Sequence, residues 1–225
     1  MIEWINAIIN LVFPKVCPSC NRHLTSKESG ICLHCASVLP ERLTLDNEEV
    51  LQRFYGRLQL EEAFAFLLFK RKGLTQKLLH SIKYKGNKTL ALEMGTLFGI
   101  RAKQLGLYSS VDVVVPIPLH LSKLRFRGFN QSAFIAQGLA SMLAVKLDER
   151  AVIRKVKTTT QTKKSRVDRW KNVDQTFEAH PLSLKGKHVL IVDDVITTGA
   201  TLESCGQTIL AAGAEKISIA CLALA

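Results

Sequence analysis

A hydrophobic run, Val189-Leu190-Ile191-Val192, leads into two adjacent carboxylates, Asp193 and Asp194, and then into Thr197-Thr198-Gly199-Ala200-Thr201. A strand that delivers two acids to its carboxyl end, followed by a Thr/Gly turn opening into a helix, can do chemistry. Backbone N–H groups at a helix N-terminus, flanked by hydroxyls, cradle a phosphate, and Gly199 lets the backbone approach it closely. Asp193 and Asp194 are acceptor-only groups, suited to two neighbouring sugar hydroxyls or to a hydrated magnesium ion. A phosphate at one end and a diol at the other describe a ribose 5-phosphate. The plainer reading, a strand and a capped helix, leaves the two acids without a task.

A second constellation lies near the N-terminus. Cys17-Pro18-Ser19-Cys20 and Cys32-Leu33-His34-Cys35 are two C-x2-C pairs. Each pair can aim two sulfurs inward from a tight turn, and two such turns complete a tetrahedral thiolate site for zinc. Disulfides or a redox pair are the alternatives, and two pairs with no secretory signal favour zinc. Four thiolates fill the shell without His23 or His34, so the metal would be structural. Asn21 to Ile31 has room for a short hairpin, with Gly30 free to turn. Cys205 and Cys221 sit in apolar stretches and read as small buried residues.

The formal net charge of the 225 residues is +12, and it is unevenly placed. Residues 1–60 carry six basic and six acidic side chains, whereas Arg150 to Lys171 hold nine Lys or Arg against Asp168 alone. Lys123, Arg125 and Arg127 form a second cluster. Converging cations suit a phosphate-rich small ligand or a nucleic-acid backbone, and a solvated basic face is the plain alternative. Met1 to Phe13 is apolar and helix-like but contains Glu3, and it has neither a basic leader nor a small-residue cleavage site. It is shorter than the ~20 residues a bilayer requires. A helix packed on the body or on a partner, no membrane span and a cytoplasmic location are expected.

Strands alternating with helices must position these groups. Ala63 to Phe69, Val111 to Val115, Val152-Ile153, His188 to Val192 and Lys216 to Leu224 read as strands. Leu74 to Tyr84, Leu90 to Leu105, Phe129 to Val145 and Ala200 to Ala212 read as helices. Pro116-Ile117-Pro118 should end the second strand. Pro116 to Gln131 reads as a loop, and Lys155 to Asn172 as a long exposed one. The expectation is an α/β fold, a parallel sheet with helices on both faces, with ligands beyond the carboxyl ends of its strands. Residues 1–45 would form the N-terminal helix and zinc knuckle, and 46–225 the main domain.

The Asp193 to Thr201 segment resembles the 5-phosphoribosyl-1-pyrophosphate (PRPP) signature of type I phosphoribosyltransferases. That resemblance implies that Asp193 and Asp194 hold the ribose hydroxyls, that Thr197, Thr198, Gly199, Ala200 and Thr201 bind the 5-phosphate, and that magnesium accompanies the pyrophosphate. Thr197 stands where relatives acting on hypoxanthine or guanine usually carry an Asp, which argues against a 6-oxopurine acceptor. Further motifs, Lys83-Tyr84-Lys85-Gly86, Val115-Pro116-Ile117-Pro118-Leu119-His120, Arg127-Gly128-Phe129-Asn130-Gln131-Ser132 and Arg169-x-x-Asn172, resemble the ordered motifs of the ComF family. Members are expected to be phosphoribosyltransferases with an N-terminal zinc finger, associated with natural transformation and with single-stranded DNA and DNA-uptake proteins.

The resemblance implies a pyrophosphate loop carrying Arg125, Arg127 and Gly128, with Arg127 among the catalytic residues. Arg127 would fork a phosphate, unless it caps a neighbouring carbonyl. Asn130 and Gln131 would offer amides to a substrate ring, unless they simply start a helix. Gln161, Arg166, Arg169 and Asn172 would belong to the loop that closes over PRPP. Lys83 is either a surface lysine or a ligand contact. Two functions stay open: transfer of a phosphoribosyl group to a nitrogen acceptor, and a non-catalytic binding module acting with single-stranded DNA.

Overall fold

The computed structural model describes residues 14–42, 48–155 and 176–225, and every structural statement concerns these. The helix expected over Met1 to Phe13 and the expected loop residues Gln161, Arg166, Arg169 and Asn172 lie outside them.

Five strands form one parallel sheet: β1 (Glu62–Leu68), β2 (Val113–Pro116), β3 (Lys146–Leu147), β6 (His188–Ile196) and β7 (Lys216–Leu224), in the order β1-β7-β6-β2-β3. A separate antiparallel ribbon pairs β4 (Val152–Arg154) with β5 (Phe177–Ala179). The helices are α1 (Leu33–Ser37), α2 (Glu48–Gln52), α3 (Leu74–Tyr84), α4 (Lys88–Gln104), α5 (Leu121–Arg127), α6 (Gln131–Leu143), α7 (Pro181–Leu184) and α8 (Ala200–Ala211).

Alternation along each strand divides the core in two, because successive side chains leave opposite faces of the pleat. Phe64, Phe66, Val114, Leu190 and Val192 join residues of α3, α4 and α6 in one cluster. Ala63, Ala65, Val113, Val115, Val189 and Ile191 join α8, Phe54 and the ribbon residues Val152 and Phe177 in the other. Strands buried on both faces read as continuous apolar runs, which is why they are visible in the sequence.

Four expectations need correction. Val152-Ile153 does not enter the parallel sheet but pairs with Phe177–Ala179. The stretch read as a loop after Pro118 contains α5, which buries none of its residues. Pro116 lies within its strand: the β2–β6 register runs from Val113↔Val189 to Pro116↔Val192, and Ile117 N–H still donates to Val192 O at 2.9 Å. Finally, β6 does not stop at Val192. It continues through the acids to Ile196, held by β7 alone in the register Asp193↔Cys221, Val195↔Ala223 and Ile196↔Leu224. Its length lies in a run, Asp193-Asp194-Val195-Ile196, whose acids break the apolar signal. The short elements β3, β5 and α7 carry too few apolar positions to show a period.

Helices α4 and α6 touch backbone to backbone. A Cβ on Gly95 would collide with the carbonyl of Ile135, and one on Gly138 with the carbonyl of Leu92. This contact fixes where the first turn of α6 stands above the sheet. Gly138→Ala should therefore lower stability by about 1–3 kcal/mol through overpacking against rigid backbone. The expected result is a lower denaturation midpoint with unchanged slope.

Candidate active site and metal centre

The acids sit where β6 has outrun β2. Asp194 is buried, with 5% of its surface exposed, and Asp193 is half-buried beside it. Two helices of the same face reach them. From α6, the Ser132 hydroxyl donates to Asp193 Oδ1 at 2.8 Å, and the Asp194 backbone N–H donates to the same oxygen at 2.8 Å. From the last turn of α3, Lys83 Nζ lies 2.9 Å from Asp194 Oδ1. The other oxygen, Asp194 Oδ2, is buried and has no hydrogen-bond partner among the described residues.

Next to the acids, β6 turns through Thr197 and Thr198 into α8. Gly199 adopts a left-handed conformation, φ 80°, as the cap before Ala200, and the Thr198 hydroxyl accepts from Ala200 N at 3.4 Å. A small cavity of about 40 Å³ runs from Asp193 round Thr197 to Thr201 and Leu202. Helix N–H groups facing this space favour an anion.

The other predicted residues are placed unevenly. Asn130 caps α6, accepting from Ser132 N at 3.1 Å while its Nδ2 donates to Ile117 O at 3.0 Å. It starts the helix, the plainer of its two readings. Gln131 is 4% exposed, and its Oε1 is a second buried acceptor without a partner among the described residues. Gly128 ends α5 with φ 74°. Arg127 caps no carbonyl among the described residues; its guanidinium stacks over Tyr84, 5.7 Å from the ring centre, beside Lys83. Arg125 lies on exposed α5 and forms no hydrogen bond or ion pair with the acids or the loop among the described residues.

Sequence reasoning left Ser132 and Lys83 outside the set of site residues. Both stand in the motifs around Arg127 and Tyr84, but neither type signals an ion pair or hydrogen bond to an acid more than sixty residues away in the chain. Arg53 and Arg57 were also missed: Arg53 Nη1 donates to Thr197 O, and Arg57 Nη2 to Thr198 O at 3.3 Å.

The cysteines form a separate centre. Sulfurs of Cys17, Cys20, Cys32 and Cys35 lie within 4.8 Å of one another, three residues buried and Cys20 exposed. That spacing suits one tetrahedral ion with Zn–S bonds near ~2.3 Å. Burial alone would raise the Cys17 thiol, yet N–H groups of Cys32, Cys20 and Ser19 bring it down to about 7; burial pushes Cys35 up to about 12. As thiolates, the four would need a cation between them, and the set suits zinc. Neither His23 nor His34 belongs to the cluster.

Gly30 does not turn the chain through a positive φ, as expected; it makes room instead. A Cβ there would stand 2.6 Å from Leu90 Cα, and its N–H donates to Glu93 Oε2 at 2.5 Å, which also accepts from Ser29 Oγ at 2.9 Å. The knuckle is thereby tied to α4.

Donor chemistry at the acid pair suits a sugar diol or magnesium: one unpartnered buried carboxylate oxygen beside a second carboxylate, with Lys83 offsetting part of the charge. The pair accepts its second negative charge reluctantly. Burial first, then the charge on Asp194, pushes the Asp193 carboxyl up to about 7, against the pull of Asp194 N–H, Ser132 and Lys83. The folded chain thus keeps a proton that the unfolded chain releases above its ordinary range. The Asp193 contribution to stability is therefore greatest at low pH and is lost as pH rises from about 4 to about 7. Asp193→Asn retains an acceptor for Ser132 and removes this titration. In magnesium-free buffer its Tm should match the parent below about pH 4, exceed it increasingly up to about pH 7, and hold a constant advantage above.

Comparison with known proteins agrees with this geometry. Residues 130–225, from the cap of α6 to the end of β7, match the phosphoribosyl transferase domain. The chain is 29% identical over 223 residues to DNA utilization protein YhgH of Salmonella typhimurium, covering 94% of this chain and 98% of that one. It is 26% identical over 206 residues to Competence protein F of Haemophilus influenzae, covering 90% and 82%. To Competence protein ComFC of Bacillus subtilis it is 25% identical over 201 residues, covering 88% and 79%. A parallel sheet carrying the acid pair and its loop, a four-cysteine cluster and these relatives point one way: the chain is similar along most of its length to the competence proteins F and ComFC, and it has a phosphoribosyltransferase-type domain.

Proposed function

We propose that the chain binds PRPP with magnesium and transfers the phosphoribosyl group to a nitrogen acceptor. The observation that carries this reading is the acid pair held by Ser132 and Lys83 directly beside the Thr197–Thr201 loop. In this scheme the loop N–H groups and hydroxyls hold the 5-phosphate, while Asp193 and Asp194 accept from the ribose hydroxyls and stabilise positive charge developing on the ring. Magnesium, when bound with PRPP, neutralises charge on the departing pyrophosphate. Arg127 and Arg125 supply cations for the same leaving group, and Gln161, Arg166, Arg169 and Asn172, outside the described residues, are the further candidates for contact with PRPP. The phosphoribosyl transferase match across residues 130–225 supports the substrate class, and the nitrogen base is left to experiment.

Calorimetric titration with PRPP and magnesium tests the reading. Saturable binding is expected, weakened at least tenfold in Asp194→Ala by loss of charged hydrogen bonds. A screen of nucleobases for pyrophosphate release then identifies the acceptor. Unchanged PRPP affinity in Asp194→Ala would remove the diol site.

One surface favours a second reading, a module that acts with single-stranded DNA. Helix α5 exposes Phe126 to 78% among Lys123, Arg125 and Arg127, and the stacked Arg127–Tyr84 pair extends this surface to His80, 4.9 Å from Tyr84. Aromatic faces between cations suit unstacked bases. The name of the Salmonella relative, a DNA utilization protein, points the same way. Binding of an oligo-dT probe should weaken steeply with salt, and Phe126→Ala should weaken it at every salt concentration. Salt-insensitive binding, or none, would leave the transferase reading alone.

A further inference from the structure

The turn after α2 lies across the loop that follows β6. Phe54, 1% exposed, sets its ring against Gly199, where a Cβ would stand 2.9 Å from the ring edge. Leu58 fills the space beside Gly206 of α8, and Gln207 Nε2 donates to Arg57 O at 3.3 Å. Residues 53–58 are therefore a strap bound to the loop and to the helix it opens.

Two arginines leave the strap toward the loop, and they differ in charge balance. Arg57, whose Nη2 donates to Thr198 O, pairs through Nη1 with Glu203 Oε2 at 2.8 Å. Arg53 donates to Thr197 O and forms no ion pair among the described residues. A guanidinium carries five donors in a planar fork, so a single carbonyl leaves most of its hydrogen-bonding capacity and all of its charge unanswered. The carbonyl it meets belongs to Thr197, the first residue of the loop whose N–H groups are disposed toward an anion.

We infer that Arg53 is the cationic partner of a sugar 5-phosphate seated on Thr197–Thr201, and that Arg57, held by Glu203, positions the strap that carries it. This rests on the PRPP reading of the loop. A phosphate monoester carries nearly two negative charges at neutral pH, and a helix N-terminus offers roughly half a positive one. Arg53 supplies a full charge where the helix end falls short. The strap thus makes the site read phosphorylation of the sugar independently of the pyrophosphate end.

Ribose 5-phosphate, which lacks pyrophosphate, isolates this end of the site. Its affinity for the full-length chain is compared by calorimetry in the parent, Arg53→Gln and Arg53→Lys. Arg53→Gln should lose about tenfold or more, the scale of a charge-assisted hydrogen bond, while Arg53→Lys, which keeps the charge, retains most of the affinity. Undiminished binding in Arg53→Gln overturns the inference, as does an equal loss in both variants, because the strap contact and not the charge would then be responsible. A parent chain that binds no ribose 5-phosphate overturns the PRPP reading and this inference together. Parent binding with an indifferent Arg53→Gln overturns the inference alone.

Discussion

The candidate site depends on one inequality of strand length: β6 remains paired with β7 as far as Ile196, while β2 stops pairing at Pro116. An unpaired strand would let two like charges swing apart into water. Here the ladder with β7 holds the backbone of Asp193 and Asp194, and the missing neighbour leaves space for polar partners from helices. Ser132 and Lys83 occupy that opening. In open α/β sheets such gaps beyond the carboxyl ends of strands are where ligands bind. On the β2 side the ladder closes with the Ile117 N–H donating to Val192 O, one residue before the acids.

The two faces of the sheet contribute in different ways. On one, contact runs without a break from the cysteine knuckle to the acids. Cys17, Ile31, Cys32 and Cys35 share a hydrophobic cluster with Phe98 and Leu139, Glu93 receives three donors from Ser29, Gly30 and Ile31, and α4 meets α6 through glycines. The first turn of α6 then presents Ser132. On the other face, Phe54 closes against Gly199 and orders the loop from behind. The acid pair is supported from the first face and the loop from the second, so the site is built at the rim where the two cores meet.

Much of this was legible in the sequence, for identifiable reasons. Buried parallel strands produce apolar runs, the Thr/Gly turn and the C-x2-C pairs carry spacing, and α3 has the same boundaries in both readings, Leu74 to Tyr84. What escaped was of two kinds. Elements without a buried face leave no period: α5 buries none of its residues, and β4 and β5 are three residues each. Side chains recruited from far along the chain carry no local mark. Lys83 resembles any lysine at a helix end until the fold brings it within 2.9 Å of Asp194, and Arg53 lies 144 residues from the carbonyl it meets. Gly30 shows how a residue can be correctly singled out for the wrong reason: close approach to α4, not turning, explains it.

The cysteine cluster has one open corner. Three of its residues are enclosed, and Cys20 alone faces solvent, its sulfur 3.6 Å from that of Cys32. An oxidant, a competing thiol or a chelator meets Cys20 first. A zinc ion held by these four sulfurs would be reached through one outer ligand before three sheltered ones.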